Sequence, residues 1–184
     1  RLLRISNKLK KEGIKVVLLG EPLHINNFTP WIKRISSITV SPGIDWEHKA
    51  LKGLRYRNIN IQGEVELAWK RLNHIPSIGI TGTNGKTTVT NMLNHVLKLN
   101  NIIVDMGGNI GKALSEIALE SKKKNYEELN WLLLELSSYQ IESSPKVAPN
   151  IGIWTTFTPD HLERHNDIET YFKIKRSLLE KSSI

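Results

Sequence analysis

The stretch GITGTNGKTTVT (residues 79–90) places glycines, a lysine and several threonines between an apolar strand and an amphipathic helix. Gly82 and Gly85 can adopt backbone angles that turn several N–H groups towards one point, and the N-terminus of the following helix attracts anions. Lys86 would supply positive charge to the outer phosphates of a nucleotide, and the Thr87 hydroxyl would ligate Mg²⁺. The stretch therefore predicts a phosphate-binding loop between a strand and a helix.

This loop departs from the generic pattern G-x-x-x-x-G-K-[ST] at one position, where the chain has Ile80 instead of glycine. An incidental glycine turn is the alternative interpretation. Because strand, loop and helix follow one another in the required order, phosphate binding is the stronger one. The residues predicted to bind the nucleotide are Gly82, Thr83, Asn84, Gly85, Lys86, Thr87 and Thr88.

Apolar runs and amphipathic stretches alternate along the whole chain. Strands are predicted over residues 15–20, 37–43, 58–64, 76–82, 101–108, 131–136 and 151–157. Helices are predicted over residues 1–11, 45–53 and 64–72, after the glycine loop, and at the end of the chain. Strands that alternate with helices are typical of an α/β fold with a mostly parallel sheet.

Composition excludes several classes of protein. The 184 residues include no cysteine, so disulfides and thiolate metal sites are excluded and a cytoplasmic setting is the default. No apolar run is long enough to cross a bilayer, and the start shows no signal pattern. The net charge of +8 comes from lysines and arginines spread along the chain without interleaved aromatic residues. We therefore expect neither membrane insertion nor a nucleic-acid partner.

Several ordered stretches resemble the Mur ligase superfamily of ATP-dependent amide-forming enzymes. The loop TGTNGKTT resembles its ATP loop. The other matching stretches are GGNIG (107–111), LELSSYQIE (134–142), TTFTPDHLERH (155–165) and YFKIK (171–175). The resemblance covers nearly the whole chain, and it implies that ATP is the nucleotide.

Within the superfamily, the block ELSSYQ is similar to the branch that adds D-glutamate to UDP-N-acetylmuramoyl-L-alanine. The stretches SPGI (41–44) and NIQGEVELAW (60–69) also resemble that branch. The resemblance implies that ATP phosphorylates the substrate carboxylate and that the amine of D-glutamate then attacks the acyl phosphate. It implies a cytoplasmic role in peptidoglycan precursor synthesis, and we expect a monomer.

The resemblance gives roles to the residues that match. Lys86, His161 and Lys175 are the expected catalytic residues, and Lys175 matches a lysine that the family carbamylates with CO₂. Two Mg²⁺ ions are expected, with Thr87, Glu135, His161 and carbamylated Lys175 as ligands. Glu135 ends the apolar run WLLLEL, where an unpaired carboxylate is costly, so a metal partner is favoured over a structural salt bridge.

Four further residues are expected to contact the nucleotide-sugar substrate. Asn109 would bind its diphosphate or the γ-phosphate region, although asparagine is also a common left-handed turn residue. Ser41 and Gly43 are candidates for the uridine-diphosphate end, and Ser137 is a further candidate.

The resemblance also implies a domain division. We expect residues 1–74 to form a Rossmann-like domain without its first strand, and residues 75–184 to form a truncated P-loop-type ATPase domain. The family's C-terminal domain is expected to be absent, so we expect the chain to be a piece of a longer protein and inactive by itself.

Three alternatives stay open at this point. The chain could belong to a nucleotide-hydrolysing switch, which would explain the loop but leave the other stretches as coincidences. It could be another Mur-type ligase, acting on a different muramoyl peptide or on a folate. His161 and His165 have the spacing of two zinc ligands on one helix face, although no third ligand is evident.

Overall fold

A computed structural model describes residues 2–16, 22–123 and 129–184. The helices are α1 (Leu2–Lys11), α2 (Lys49–Arg55), α3 (Glu64–Leu72), α4 (Lys86–Leu99), α5 (Leu114–Lys123), α6 (Ser138–Glu142), α7 (Leu162–His165) and α8 (Ile168–Glu180). The strands are β1 (Ser37–Val40), β2 (Asn60–Gly63), β3 (Ser77–Thr81), β4 (Val104–Gly108), β5 (Trp131–Glu135) and β6 (Ile151–Trp154). A short 3₁₀ helix spans Ile25–Phe28. The predicted α/β fold is confirmed.

The larger sheet has four parallel strands in the order β4-β5-β3-β6. Because all four run in the same direction, their carboxyl ends meet at one edge. In the register, Ile80 of β3 lies opposite both Glu135 of β5 and Ile153 of β6. Ile80 is fully buried in this sheet. The position where the generic loop pattern has glycine is therefore part of a central strand.

The larger sheet is covered on both faces, which explains why its strands are continuous apolar runs. Successive side chains of a strand point to opposite faces. Leu132 and Leu134 of β5 pack on one face with residues of α3, α5 and α8. Leu133, between them, packs on the other face with Ile78 and Ile80, against α4. The sheet is thus the middle of three layers.

Within the described residues, the smaller sheet consists of β1 and β2, which pair in parallel with Val40 opposite Gly63. Its core contains Leu51 and Leu54 of α2 together with Ile61. Helix α3 follows β2 directly, but its apolar face joins the core of the larger sheet. The domain division after residue 74 stays a prediction. Helix α3 lies before that division in the chain, but it packs against the core of the larger sheet, whose strands follow the division.

Several predicted elements are shorter than expected; the strands predicted over residues 58–64 and 101–108, for example, occupy only Asn60–Gly63 and Val104–Gly108. The helix predicted over residues 45–53 begins only at Lys49, because residues 45–48 form a turn and the His48 imidazole caps α2 by accepting from the backbone N–H of Ala50. The strand predicted over residues 151–157 ends at Trp154, because the following threonines turn to contact the glycine loop.

One predicted strand cannot be compared, because residues 15–20 lie largely outside the described part of the chain. Within the described part, no helix is long and apolar enough to cross a membrane.

Candidate active site

The glycine loop lies at the carboxyl edge of the larger sheet, between β3 and α4. Gly82 has a φ of 148° and Gly85 a φ of 82°, both in the region that favours glycine. A Cβ at Gly82 would lie 2.0 Å from Oγ1 of Thr155, so a side chain at this position would clash. Gly85 caps α4, and the loop therefore leads directly into the helix N-terminus.

The loop is held by the segment that follows β6. The backbone N–H of Thr83 donates to the carbonyl of Thr156 at 2.9 Å, and the N–H of Asn84 donates to the hydroxyl of Thr156 at 2.9 Å. The N–H of Thr158 donates to the hydroxyl of Thr83 at 3.1 Å. These threonines were given no individual role from the sequence, although several hydroxyl residues directly after a strand are a usable signal. They fix the loop before any ligand binds.

Two lysines converge on the carbonyl oxygen of Gly82. The ammonium group of Lys86 donates to it at 2.8 Å and also to the carbonyl of Thr83 at 2.9 Å. The ammonium group of Lys175, which is 1% exposed, donates to the Gly82 carbonyl at 2.8 Å. Burial, and secondly the charge of Lys86, lower the pKa of Lys175 to about 8. The loop is therefore an electropositive centre suited to an anion.

Glu135 ends the strand next to β3 and is 1% exposed. Its Oε1 accepts from the side-chain amide of Asn109 at 2.9 Å, while its Oε2 is buried and has no hydrogen-bond partner among the described residues. The Asn109 backbone N–H donates to the Glu135 carbonyl at 2.7 Å. Asn109 does not have a positive φ, so the alternative interpretation as a left-handed turn residue is wrong. A buried carboxylate oxygen without a partner is costly and is a good ligand for a hard cation.

His161 precedes α7 in a left-handed conformation, with a φ of 53°. Its ring nitrogens lie 3.6 Å from Asp160 and 3.8 Å from Glu163, and the side chain is 45% exposed. In residues 2–16, 22–123 and 129–184, no three His, Cys, Asp or Glu side chains are grouped as a metal site. The zinc alternative therefore gains no third ligand there, and the predicted magnesium ligands, including the exposed Thr87, stay a prediction.

The model of the Mur ligase middle domain matches residues 80–184, which is more than half of the chain. The chain belongs to the Mur ligase family. The matched part contains the glycine loop, both converging lysines, Asn109 and Glu135.

Curated relatives match over nearly the whole chain. The UDP-N-acetylmuramoylalanine–D-glutamate ligase of Prochlorococcus marinus strain NATL2A is 80% identical over 183 residues, which are 100% of this chain and 39% of the relative. The same ligase from Prochlorococcus marinus strain MIT 9313 is 51% identical over 98% of this chain and 39% of the relative. The chain thus spans about two fifths of the length of these relatives.

Among solved structures, a pseudomurein peptide ligase type C from Methanothermus fervidus has a TM-score of 0.44 and 22% identity. That match covers 97% of this chain and 36% of the solved chain. The likeness is too slight to support a conclusion about this Mur ligase chain.

The other predicted substrate residues lie on two turns of the Mur ligase chain. Ser137 caps α6: its hydroxyl accepts from the Gln140 backbone N–H, and the Gln140 side chain accepts from the Ser137 N–H. Ser41 and Gly43 are exposed on the turn after β1, which the backbone N–H of Ile44 closes by donating to the Ser41 carbonyl. The predicted contacts of these three residues with substrate stay predictions.

His165 of the Mur ligase chain is a buried histidine that the sequence offered only as a zinc ligand. Its Nε2 lies 2.9 Å from the hydroxyl of Ser138, and its ring stacks on Tyr171 at 5.5 Å between centroids. Burial, followed by the charge of Arg164, lowers the pKa of His165 to about 4. The imidazole is therefore neutral at physiological pH and holds α7 against α6.

The pKa of His165 predicts how stability changes with pH. Between about pH 4 and 6.5 the unfolded chain binds a proton at this position that the folded chain does not, so the free energy of unfolding falls as the pH decreases through this window. His165→Gln should flatten that dependence in urea unfolding, whereas His95→Gln on the exposed face of α4 should not. Equal slopes in the wild type and His165→Gln would contradict a histidine held neutral by the fold.

Proposed function

We propose that this chain forms the nucleotide-binding part of an ATP-dependent ligase that joins D-glutamate to UDP-N-acetylmuramoyl-L-alanine in peptidoglycan precursor synthesis. One observation carries the proposal: Lys86 and Lys175 converge on the Gly82 carbonyl. The neighbouring strand ends there in the buried Glu135. The substrates of the proposal are those in the name of the two curated relatives, UDP-N-acetylmuramoylalanine–D-glutamate ligase. Because this reaction consumes ATP and a nucleotide sugar, we propose a cytoplasmic enzyme, and we propose that it acts as a monomer.

The reaction joins a carboxylate and an amine at the expense of ATP. A carboxylate oxygen of the nucleotide sugar attacks the γ-phosphorus, the bond to ADP breaks, and an acyl phosphate forms. The amine of D-glutamate attacks the acyl carbon, and the tetrahedral intermediate releases phosphate and a proton as the amide forms. Because two anions must approach each other in the first step, charge neutralisation and alignment are the main tasks of the protein.

The glycine loop performs the first of these tasks. Residues 82–88 would surround the phosphates with backbone N–H groups, while Lys86 would exchange its bonds to the Gly82 and Thr83 carbonyls for bonds to the outer phosphates. The threonines after β6 keep the loop in place during this exchange, because Thr156 accepts from the backbone N–H groups of Thr83 and Asn84 independently of Lys86. A loop that is already ordered loses little conformational entropy when the nucleotide binds.

Magnesium fits the residues near the loop. We propose that Thr87, Glu135 and His161 hold two Mg²⁺ ions. When bound, these ions would neutralise part of the negative charge on the phosphoryl oxygens. Oε2 of Glu135 is a hard oxygen donor with no hydrogen-bond partner in residues 2–16, 22–123 and 129–184, and burial makes an unpartnered carboxylate oxygen costly. The small number of protein ligands suits Mg²⁺, which usually retains waters and binds substrate phosphates.

Lys175 would enter this site as a carbamate. Carbamylation needs the neutral amine, and a pKa of about 8 increases its neutral fraction at physiological pH. The amine nitrogen would bond to the carbon of CO₂ and lose a proton, leaving an anion in place of a cation. The remaining N–H could keep its bond to the Gly82 carbonyl. Asn109, Ser137, Ser41 and Gly43 would contact the nucleotide sugar.

The function is tested by phosphate release from a hybrid enzyme, in which these 184 residues replace the matching segment of the 80% identical relative. We expect release with ATP and Mg²⁺ only when UDP-N-acetylmuramoyl-L-alanine and D-glutamate are both present. L-glutamate, L-lysine and diaminopimelate serve as acceptor controls. Release with another acceptor would change the substrate assignment, and release without any acceptor would favour a nucleotide-hydrolysing switch.

Glu135→Gln separates a metal ligand from a structural residue. The amide is isosteric and keeps a bond to Asn109, so the free energy of unfolding in EDTA should stay the same or rise as a buried unpaired charge is removed. Activity at limiting Mg²⁺ should fall at least about 100-fold. Glu169→Gln, on the exposed face of α8, is the matched control. A stability loss with unchanged Mg²⁺ dependence would contradict the metal role.

The carbamate of Lys175 is expected to be visible by ¹³C NMR after incubation with ¹³C-bicarbonate. We expect one carbamate resonance above neutral pH, which disappears on acidification and is missing in Lys175→Arg. Lys86→Arg should keep the resonance, because Lys86 is not the predicted carbamate. Lys86 is also the more solvent-accessible of the two lysines. A resonance that survives in Lys175→Arg would assign the carbamate to a different lysine.

A further inference from the structure

Arg164 joins three segments that are far apart in the sequence. One guanidinium nitrogen, Nη1, contacts Oδ1 of Asp45 on the turn after β1. The other, Nη2, donates to Oε2 of Glu142 at 2.6 Å and to the carbonyl of Ile44 at 3.2 Å. The guanidinium also lies over the ring of Tyr139, 5.4 Å from its centroid. A single side chain on α7 therefore connects the turn after β1 with α6.

The environment of Arg164 makes its contact with Glu142 stronger than a surface ion pair. Its side chain is 12% exposed and that of Glu142 is 14% exposed. A charged hydrogen bond shielded from water is stronger than an exposed one, and loss of one partner leaves the other charge without compensation. Without Arg164, the carboxylates of Asp45 and Glu142 would face each other, and their repulsion would separate the turn from α6.

The three joined segments include or adjoin three of the four predicted substrate residues. The turn of residues 41–45 carries Ser41 and Gly43, α6 is capped by Ser137, and Arg164 itself lies three residues after His161 on α7. We propose that Arg164 is a positioning residue that fixes the turn of residues 41–45, and with it the nucleotide-sugar subsite, against the end of the sheet where ATP binds. The inference rests on the proposed function and assigns to Arg164 a role that the sequence did not suggest.

The chemistry of arginine explains the choice of residue. Its planar group offers separate N–H donors to both carboxylates and to the Ile44 carbonyl at once. A lysine has a single nitrogen at the end of a flexible chain and cannot reproduce this fork. Arg164→Lys should therefore retain the charge but lose the orientation of the turn, while Arg164→Gln should lose both.

The test measures binding and steady-state kinetics in the hybrid enzyme. The variants are Arg164→Lys, Arg164→Gln and Asp45→Asn. Asp45 is half-exposed, so Asp45→Asn removes the charge from the turn without disturbing the buried Arg164–Glu142 pair. Arg176→Gln is the control, because it breaks an exposed arginine–carboxylate pair with Glu180 on α8. Isothermal titration with UDP-N-acetylmuramoyl-L-alanine and with the ATP analogue AMP-PNP separates the two subsites.

We expect Arg164→Gln to weaken nucleotide-sugar binding and raise its KM at least about tenfold, with AMP-PNP affinity changed less than about twofold. Arg164→Lys and Asp45→Asn should give smaller increases in the same KM. In a double variant, Asp45→Asn should add little to the effect of Arg164→Gln, because both substitutions break the same Arg164–Asp45 contact. Arg176→Gln should match the wild type.

Other results overturn the inference in distinguishable ways. Lower melting temperatures with unchanged affinities, or an equal loss for both ligands, would make Arg164 a purely structural residue. A wild-type hybrid that binds AMP-PNP but not the nucleotide sugar would overturn the proposed function and the inference together. A wild-type hybrid that requires D-glutamate, with Arg164→Gln unchanged, would overturn the inference alone.

Discussion

The carbonyl oxygen of Gly82 accepts hydrogen bonds from two lysines, and most of the site depends on this arrangement. One lysine belongs to the helix after the loop and the other to α8, near the end of the chain. The loop can hold its shape only because Gly82 has no side chain where Thr155 packs. The parallel sheet positions the remaining site residues, because it brings the ends of β3, β5 and β6 to one edge.

The packing of the sheet explains how such a polar edge is stable. Leu132, Leu133 and Leu134 are completely buried and alternate between the two helical layers, so β5 is fixed from both faces up to the residue before Glu135. A carboxylate at the end of this strand has little freedom to move towards water. The same rigidity holds the turn of Asn109, whose backbone and side chain both bond to Glu135. The apolar core therefore presents the polar edge as a rigid surface.

The sequence predicted the parts of this site that are local in the chain. The glycine loop, the strand leading to Glu135 and the α/β alternation follow from spacing and composition within short windows. Arg164 and the threonines after β6 were missed because their partners lie 22 to 120 residues away, and no local pattern records such pairs. Helix α2 was misplaced because a histidine, an uncommon cap, begins it after a four-residue turn. Local sequence patterns therefore did not predict the long-range contacts or the unusual helix cap.

The charges at the sheet edge are uneven in a way that favours one kind of ligand. While Lys175 is unmodified, the loop concentrates two ammonium groups on a single carbonyl, and burial together with the charge of Lys86 lowers the pKa of Lys175. On the neighbouring strand, Glu135 keeps a buried carboxylate oxygen that no group in the described part of the chain bonds to. An isolated anion would suit the lysines but repel Glu135, and an isolated cation would do the reverse. A polyphosphate that carries its own metal ions would present both signs at once, so these charges support the proposed binding of a metal–nucleotide complex.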